Sequence, residues 1–156
     1  MLMNKKILSL FGWLLLGLVA LPGYAQSTST SGFYVIMKEK TGCTHTLFAL
    51  TGPNSYCLPK APVIPATEFE SVTTIQNDLP KRMRYIDLRL TPAGFKILKS
   101  LIAKLPDASL ALVIEDRVVG TFESVGRMVD QTIPISGGMD APEIDWIYNK
   151  LKKKKP

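Results

Sequence analysis

The sequence predicts an α+β domain: a small, mostly antiparallel sheet with two helices on one face. Three observations lead to this prediction. The stretch RYIDLRLT, residues 84–91, alternates polar and apolar side chains with the period of a half-buried strand. One helical pattern follows it directly, and a second follows the strand-like stretch QTIPIS at 131–136. The apolar runs SLALVI and RVVGTF lie between the two helices. The predicted order is therefore β-α-β-β-β-α, preceded by a β-rich N-terminal segment.

The first helix is predicted over residues 92–104. Thr91 is a good N-cap and Pro92 suits the first helical position. Helical spacing predicts that four residues form the buried face: Phe95, Leu98, Ile102 and Leu105. The strand after this helix is apolar on both faces, which favours a central place in the sheet. Glu115-Asp116 then forms the turn of an antiparallel hairpin.

The N-terminal part of the domain reads mainly as extended chain. FYVIMKEK at 33–40 and HTLFALTG at 45–52 are β-rich, joined by a hairpin or by a longer connection. Three prolines in CLPKAPVIP make that stretch extended and exclude it from the interior of a sheet. ATEFESV at 66–72 is predicted as a short helix with Thr67 as its cap.

The chain begins with the pattern of a secretory signal peptide. Lys5 and Lys6 precede an apolar run that ends at Pro22-Gly23, and small residues occupy the positions that a signal peptidase reads, so cleavage is predicted after Ala25. The alternative is an uncleaved membrane anchor. The predicted organisation is a signal peptide at 1–25, a flexible lead-in at 26–32, a single domain at 33–151 and a basic tail at 152–156. The mature protein is then expected in the periplasm or outside the cell.

The positive charge lies mostly at the two ends of the chain. The formal net charge is +6, but Lys5, Lys6, Lys150 and the run Lys152 to Lys155 supply seven of the 19 basic residues. The remainder is nearly neutral, with 12 basic against 13 acidic residues. A nucleic-acid binder usually carries its charge on a folded face, so nucleic acid is not an expected partner. The tail is read as a solubilising end, with a weak contact of Lys152, Lys153, Lys154 and Lys155 to anionic lipid as the alternative.

Cys43 and Cys57 are the two cysteines, and an even pair in an exported chain predicts a disulfide. The competing interpretation is a metal or thiol enzyme built around the single histidine, His45, with these cysteines as ligands or nucleophile. No fourth ligand stands at a suitable spacing, and no nucleophile motif lies nearby. The sequence therefore predicts no catalytic residue, metal site or cofactor.

Residues Ser136-Gly137-Gly138 stand between the last strand and the last helix, where glycine-rich turns often bind phosphate. Asp140 is a good N-cap for a helix over 141–152, and Glu143 stands three residues on. Their negative charge would repel an anion from the helix start. The stretch is therefore predicted to be a structural turn and helix cap. Its glycines would serve a positive φ or close packing.

Three stretches, taken in order, resemble one family: LRLTPAGFKIL, the hairpin LALVIEDRVVG, and IPISGGMDAPEIDWIYNKL. Together they are similar to the head subdomain of the first periplasmic domain of SecD, an accessory subunit of the Sec protein-translocation machinery. The resemblance covers about residues 56–151. It implies the fold and a role in contacting polypeptides outside the cytoplasm. The turn Glu115-Asp116-Arg117 departs from the family's Asp-Gly, and proton-driven translocation is not implied because the membrane helices of SecD have no counterpart in this sequence.

The resulting functional hypothesis is a non-catalytic binding module that contacts an exported polypeptide or an envelope protein through sheet-edge and hairpin surfaces. Two alternatives come from other classes. One is the small enzyme built around His45. The other is an envelope-surface protein that binds anionic lipid through its lysine tail.

If the export signal is processed as predicted, the mature chain starts at Gln26. Intact-mass measurement of protein recovered from the native compartment should therefore show a chain that lacks residues 1–25. A mass that retains those residues would instead identify a membrane-anchored protein.

Overall fold

The computed structural model describes residues 30–38, 43, 45–123, 125–128, 130–138 and 142–152. The predicted signal peptide, most of the lead-in, Asp140 and Lys153 to Lys155 lie outside these residues. The elements follow in chain order: β1 (Gly32–Val35), β2 (Thr46–Ala49), β3 (Ser55–Cys57), β4 (Ile64–Pro65), β5 (Phe69–Val72), β6 (Gln76–Asp78), β7 (Met83–Leu90), α1 (Pro92–Lys104), β8 (Leu110–Ile114), β9 (Arg117–Phe122), β10 (Thr132–Gly138) and α2 (Pro142–Lys152). Short 3₁₀ turns occupy Ala66–Glu68 and Val125–Arg127.

The strands form two sheets. Six of them lie in the order β3-β2-β9-β8-β1-β4, and the second sheet has the order β10-β7-β5, with β6 also paired to β7. All pairings are antiparallel except the short one between β2 and β9. The predicted α+β class, the mostly antiparallel pairing and the two helices are confirmed. The division of the strands between two sheets was not predicted.

The alternation of polar and apolar residues in β7 buries one face of the strand, as predicted. Ile86, Leu88 and Leu90 are buried side by side in the main core, together with residues of both helices. Helix α1 begins at Pro92, and the Thr91 hydroxyl accepts a hydrogen bond from the Gly94 amide at 3.0 Å. This cap is the one that the Thr-Pro pair predicts.

One residue of the predicted face of α1 is misplaced. Leu105 is 51% exposed, because it is the C-cap and its φ of −141° takes it out of the helical path. Leu101, which the spacing argument left out, is buried in its place beside Leu98. Phe95 and Ile102 pack against the core while remaining partly exposed.

Strand β8 is buried on both faces, as its unbroken apolar run predicts. Leu110, Leu112 and Ile114 belong to the main core between the sheets and helices. Ala111 and Val113 belong to a second core with Tyr34 and Leu47. A backbone hydrogen bond of 3.0 Å from the Met37 amide to the Cys57 carbonyl joins the chain after β1 to the outer strand β3. The six-stranded sheet therefore curls around the second core.

The N-terminal segment differs from the prediction in three places. β1 pairs with β8 and β4, and β2 pairs with β3 and β9, so the two strands are not a hairpin. In the stretch 66–72 only Ala66–Glu68 is helical, as a 3₁₀ turn, because Phe69 and Val72 pair with β7 as part of strand β5. The ordered chain starts before Phe33, since Gly32 already pairs with Pro65 and Val113. The proline-rich stretch does lie outside the sheet interior, with β4 at an edge.

Helix α2 is fixed to β7 by a side-chain pair. The two terminal guanidinium nitrogens of Arg84 donate to the Asp145 carboxylate, at 2.7 and 2.9 Å. Ile144 and Ile147 are buried, and Tyr148 and Leu151 pack against the core, as predicted. Lys152, the first residue of the predicted basic tail, belongs to α2, and the rest of the tail lies outside the described residues. Within the described residues, no helix has both the length and the apolar character needed to cross a bilayer.

The Arg84–Asp145 pair predicts a pH dependence. The hydrogen bonds from Arg84 lower the pKa of Asp145 below its usual range. A carboxyl with a lowered folded-state pKa stabilises the protein fully above its unfolded pKa of about 3.9. That stability is lost as the pH falls through the folded-state pKa. Asp145→Asn should therefore lower the melting temperature at pH 7, and the difference from the unmodified protein should shrink towards pH 2.

Calorimetry from pH 7 to pH 2 measures the difference in melting temperature between Asp145→Asn and the unmodified protein. The matched control is Asp107→Asn, which lies in the exposed loop after α1. A difference that stays constant to pH 2 would contradict a charge contribution from Asp145.

Candidate functional site

The predicted corner is the end of a strand. Ser136, Gly137 and Gly138 continue β10 and pair with Tyr85, Arg84 and Met83. The described glycines with positive φ are Gly32 and Gly52, so the left-handed backbone expected at this corner is not found at Gly138. A Cβ built at Gly138 would meet nothing within 4 Å, so close packing does not explain why this position is a glycine. Residues 139–141, which connect β10 to α2, lie outside the described residues.

These strand-end residues line a cleft of about 310 Å³ between the two sheets. Strand β9 contributes Val118 to Thr121, and the β2–β3 hairpin contributes residues 49–51 with Asn54 and Tyr56. Helix α2 closes the cleft with Glu143, Ile144 and Ile147. The volume lies at the low end of the range for ligand sites, about 300–1,000 Å³.

The β9 side of the cleft offers an unpaired strand edge. β2 pairs with β9 only through Phe48 and Ala49, and the last backbone bond runs from the Leu50 amide to the Val118 carbonyl at 2.7 Å. The chain then turns away at Gly52, whose φ is +80°. Among the described residues, β9 beyond Val118 therefore has no strand partner on this side. The register with β8 also shifts here, between Leu112 and Val113, so Val119 is a β-bulge.

The β10 side offers a second strand edge. Gln131 lies opposite Leu90, whose amide donates to its carbonyl at 3.0 Å, so the odd-numbered residues of β10 face β7. The even-numbered residues then point their backbone groups away from the sheet. Pro134 is one of these residues. Because proline has no N–H, another strand cannot accept a hydrogen bond from the middle of this edge. Ser136 and Gly138 keep their outward N–H groups at the cleft.

Glu143 is the only charged residue among the described residues that line the cleft. Its Oε2 atom is shielded from solvent and has no hydrogen-bond partner. This oxygen caps no backbone amide, and the capping role that the spacing from Asp140 predicts for Glu143 stays a prediction. Asp140 itself lies outside the described residues, so its role as N-cap stays a prediction.

The two cysteines form the predicted disulfide, with Cα atoms 5.7 Å apart, away from the cleft. In the chain-entropy model, a bond of this sequence separation stabilises the fold by about 3 kcal/mol. Neither cysteine is left as a free thiol, so the enzyme alternative that uses Cys43 or Cys57 as ligand or nucleophile is wrong. Among the described residues, no group of three metal-ligating side chains comes together. His45 lies beside the disulfide, with its Nε2 atom buried and without a partner.

The lysines at the end of α2 interact with their own helix. Lys150 lies over the Trp146 ring at 5.5 Å and pairs with Glu115 at 2.6 Å, and Lys152 lies over the Tyr148 ring at 5.4 Å. Lys150 thereby connects α2 to the β8–β9 turn. In that turn, Glu115 and Asp116 both have positive φ, as a two-residue hairpin loop requires.

The sequence analysis singled out the β10 and α2 residues of the cleft, but as a structural turn and helix cap, and it missed the walls from β9 and the β2–β3 hairpin. One sequence signal was available. Gly120 lies inside an otherwise apolar strand, and a glycine there often marks a bulge or a site where another backbone comes close. The hairpin wall gave no comparable signal, since its position depends on a parallel pairing between β2 and a strand about 70 residues later.

Fold and site together define a two-sheet α+β module with a polar cleft between strand edges. Among solved structures, this chain is similar to SecDF, described as a membrane component that enhances protein export. The TM-score is 0.58 at 16% sequence identity, covering 85% of this chain and 70% of that one. The SecD-like fold predicted from the sequence is confirmed. No family profile matches the chain, and no curated protein is similar to it in sequence.

The contrast between two glycines tests the geometry of the cleft. Gly138→Ala should change the free energy of unfolding by less than about 0.5 kcal/mol, because the new methyl group enters open space. Gly32→Ala should cost about 1–3 kcal/mol, because its Cβ would collide with the Ile64 carbonyl and the Pro62 ring. Urea denaturation measures both. Equal and large losses would mean that the cleft edge at Gly138 is closed by packing.

Proposed function

We propose that the protein is an exported, non-catalytic binding module that holds an extended segment of another polypeptide in the cleft between its two sheets. The segment is an exported chain or part of an envelope protein. It adds as a strand to the edge of β10 or β9, and its alternate side chains enter the cleft.

The observation that carries this proposal is the pair of unpaired strand edges facing one cleft. Backbone groups at a strand edge recognise any extended chain, because every residue except proline offers the same donor and acceptor. The β9 edge beyond Val118 and the outward groups of Ser136 and Gly138 lie on opposite sides of the same space. A cleft built this way suits a partner defined by conformation more than by sequence.

Two further observations support the proposal. The fold is shared with a protein described as enhancing protein export, and the sequence begins with the pattern of an export signal. The lipid-surface alternative gains no support from the described part of the tail, where Lys150 and Lys152 are engaged by aromatic rings of α2.

Two proline substitutions on the same edge test the proposal. Ser136→Pro removes an outward N–H inside the cleft, and Thr132→Pro removes an equivalent N–H outside it. Proline is tolerated at edge positions whose N–H faces away from the sheet. A fluorescent, permanently unfolded polypeptide should bind the purified mature protein, and Ser136→Pro should weaken binding several-fold. Thr132→Pro should leave it unchanged.

Circular dichroism of both variants verifies that the sheet is retained. Equal effects of the two prolines would mean that the cleft is not the binding site. A failure of the unmodified protein to bind the unfolded chain at any accessible concentration would contradict the function itself.

A further inference from the structure

The charge of the cleft is unbalanced. Its described lining carries one carboxylate, on Glu143, and no lysine, arginine or histidine. Elsewhere in the described structure, Asp78, Asp145, Glu70 and Glu115 each have a cationic partner within 3.1 Å. Glu143 differs from these carboxylates. It lies on a wall of the cleft, and its Oε2 atom has no hydrogen-bond partner.

An unpartnered carboxylate oxygen that is shielded from water has a free-energy cost, since it has lost its hydration without gaining a donor. Arg84, on the neighbouring strand β7, donates from both terminal guanidinium nitrogens to Asp145 instead. The start of α2 favours negative charge through its dipole. A donor that enters from the cleft would remove the cost if the side chain rotates to meet it.

We infer that the cleft selects a lysine side chain of the extended polypeptide, with its ammonium group placed against the Glu143 carboxylate. This inference rests on the proposed function and names the chemistry of its partner. The lysine stem would lie along the apolar lining, which includes Leu50, Val119 and Ile144. The peptide backbone next to that lysine would pair with the outward groups of Ser136 and Gly138.

Lysine fits this site for two reasons. A primary ammonium satisfies a carboxylate through a charge-assisted hydrogen bond, which is stronger than a neutral one. Its flexible alkyl stem can follow an apolar wall while the charge remains at the polar end. An acidic side chain would be repelled by Glu143, so the cleft should discriminate against acidic segments.

The experiment compares two otherwise uncharged blocked pentapeptides of β-forming sequence, one with lysine and one with norleucine at the centre. The purified mature protein should bind the lysine peptide about tenfold more tightly, as expected for one charge-assisted hydrogen bond. Glu143→Gln keeps the shape of the side chain and should bring the ratio of the two Kd values close to one. Glu123→Gln removes an exposed charge outside the cleft and should leave the ratio unchanged.

Each outcome decides between the two levels of the proposal. Equal binding of the two peptides by the unmodified protein would overturn the lysine site and leave polypeptide binding intact, whereas binding of neither would overturn both. A lysine preference that survives Glu143→Gln would place the charge recognition elsewhere. Blocked lysine alone, binding as tightly as the peptide, would mean a small-amine site without strand pairing.

Discussion

The rest of the structure depends on the burial of β8 on both faces. A strand with Leu110, Leu112 and Ile114 on one side and Ala111 and Val113 on the other cannot leave either side in water. One side is covered by the curl of its own sheet, which brings Cys57 to the backbone of Met37. The other is covered by the second sheet and both helices. The small Ala111 on the inner side suits the tighter curve of the sheet there.

The cleft is a consequence of this arrangement. Strand β2 has only four residues, and Gly52 and Pro53 turn the chain back towards β3 before β2 can cover the whole of β9. The second sheet approaches from the other side but ends at Gly138, so two strand edges face each other across a gap. Elsewhere the edge of β10 is interrupted by Pro134, a common device against uncontrolled strand pairing. Of the three outward N–H groups on the described part of β10, those of Ser136 and Gly138 therefore lie on the cleft side, and that of Thr132 lies outside it.

The sequence was informative where structure is decided locally. The period of two in β7, the Thr91-Pro92 helix start and the turn at Glu115-Asp116 each depend on neighbouring residues, and each was predicted correctly. The disulfide followed from the count of cysteines and the export signal. Pairing between distant strands has no local signature, so β1 against β8 and β2 against β9 could not be derived. The stretch 66–72 has a capping pattern, but pairing with β7 outweighs that weak local preference.

Glu143 illustrates why the candidate site was only partly predictable. Its position three residues after Asp140 matches a capping box, and local reasoning assigned both residues to the helix start. What else surrounds such a carboxylate depends on the elements that lie across from it, and here these are β9 and the β2–β3 hairpin. The protein retains a shielded oxygen without a hydrogen-bond partner, Oε2 of Glu143, beside the cleft that separates two strand edges. Sites that depart from local rules at a cost in stability are where binding function is expected, because a residue optimised for stability alone would already be paired.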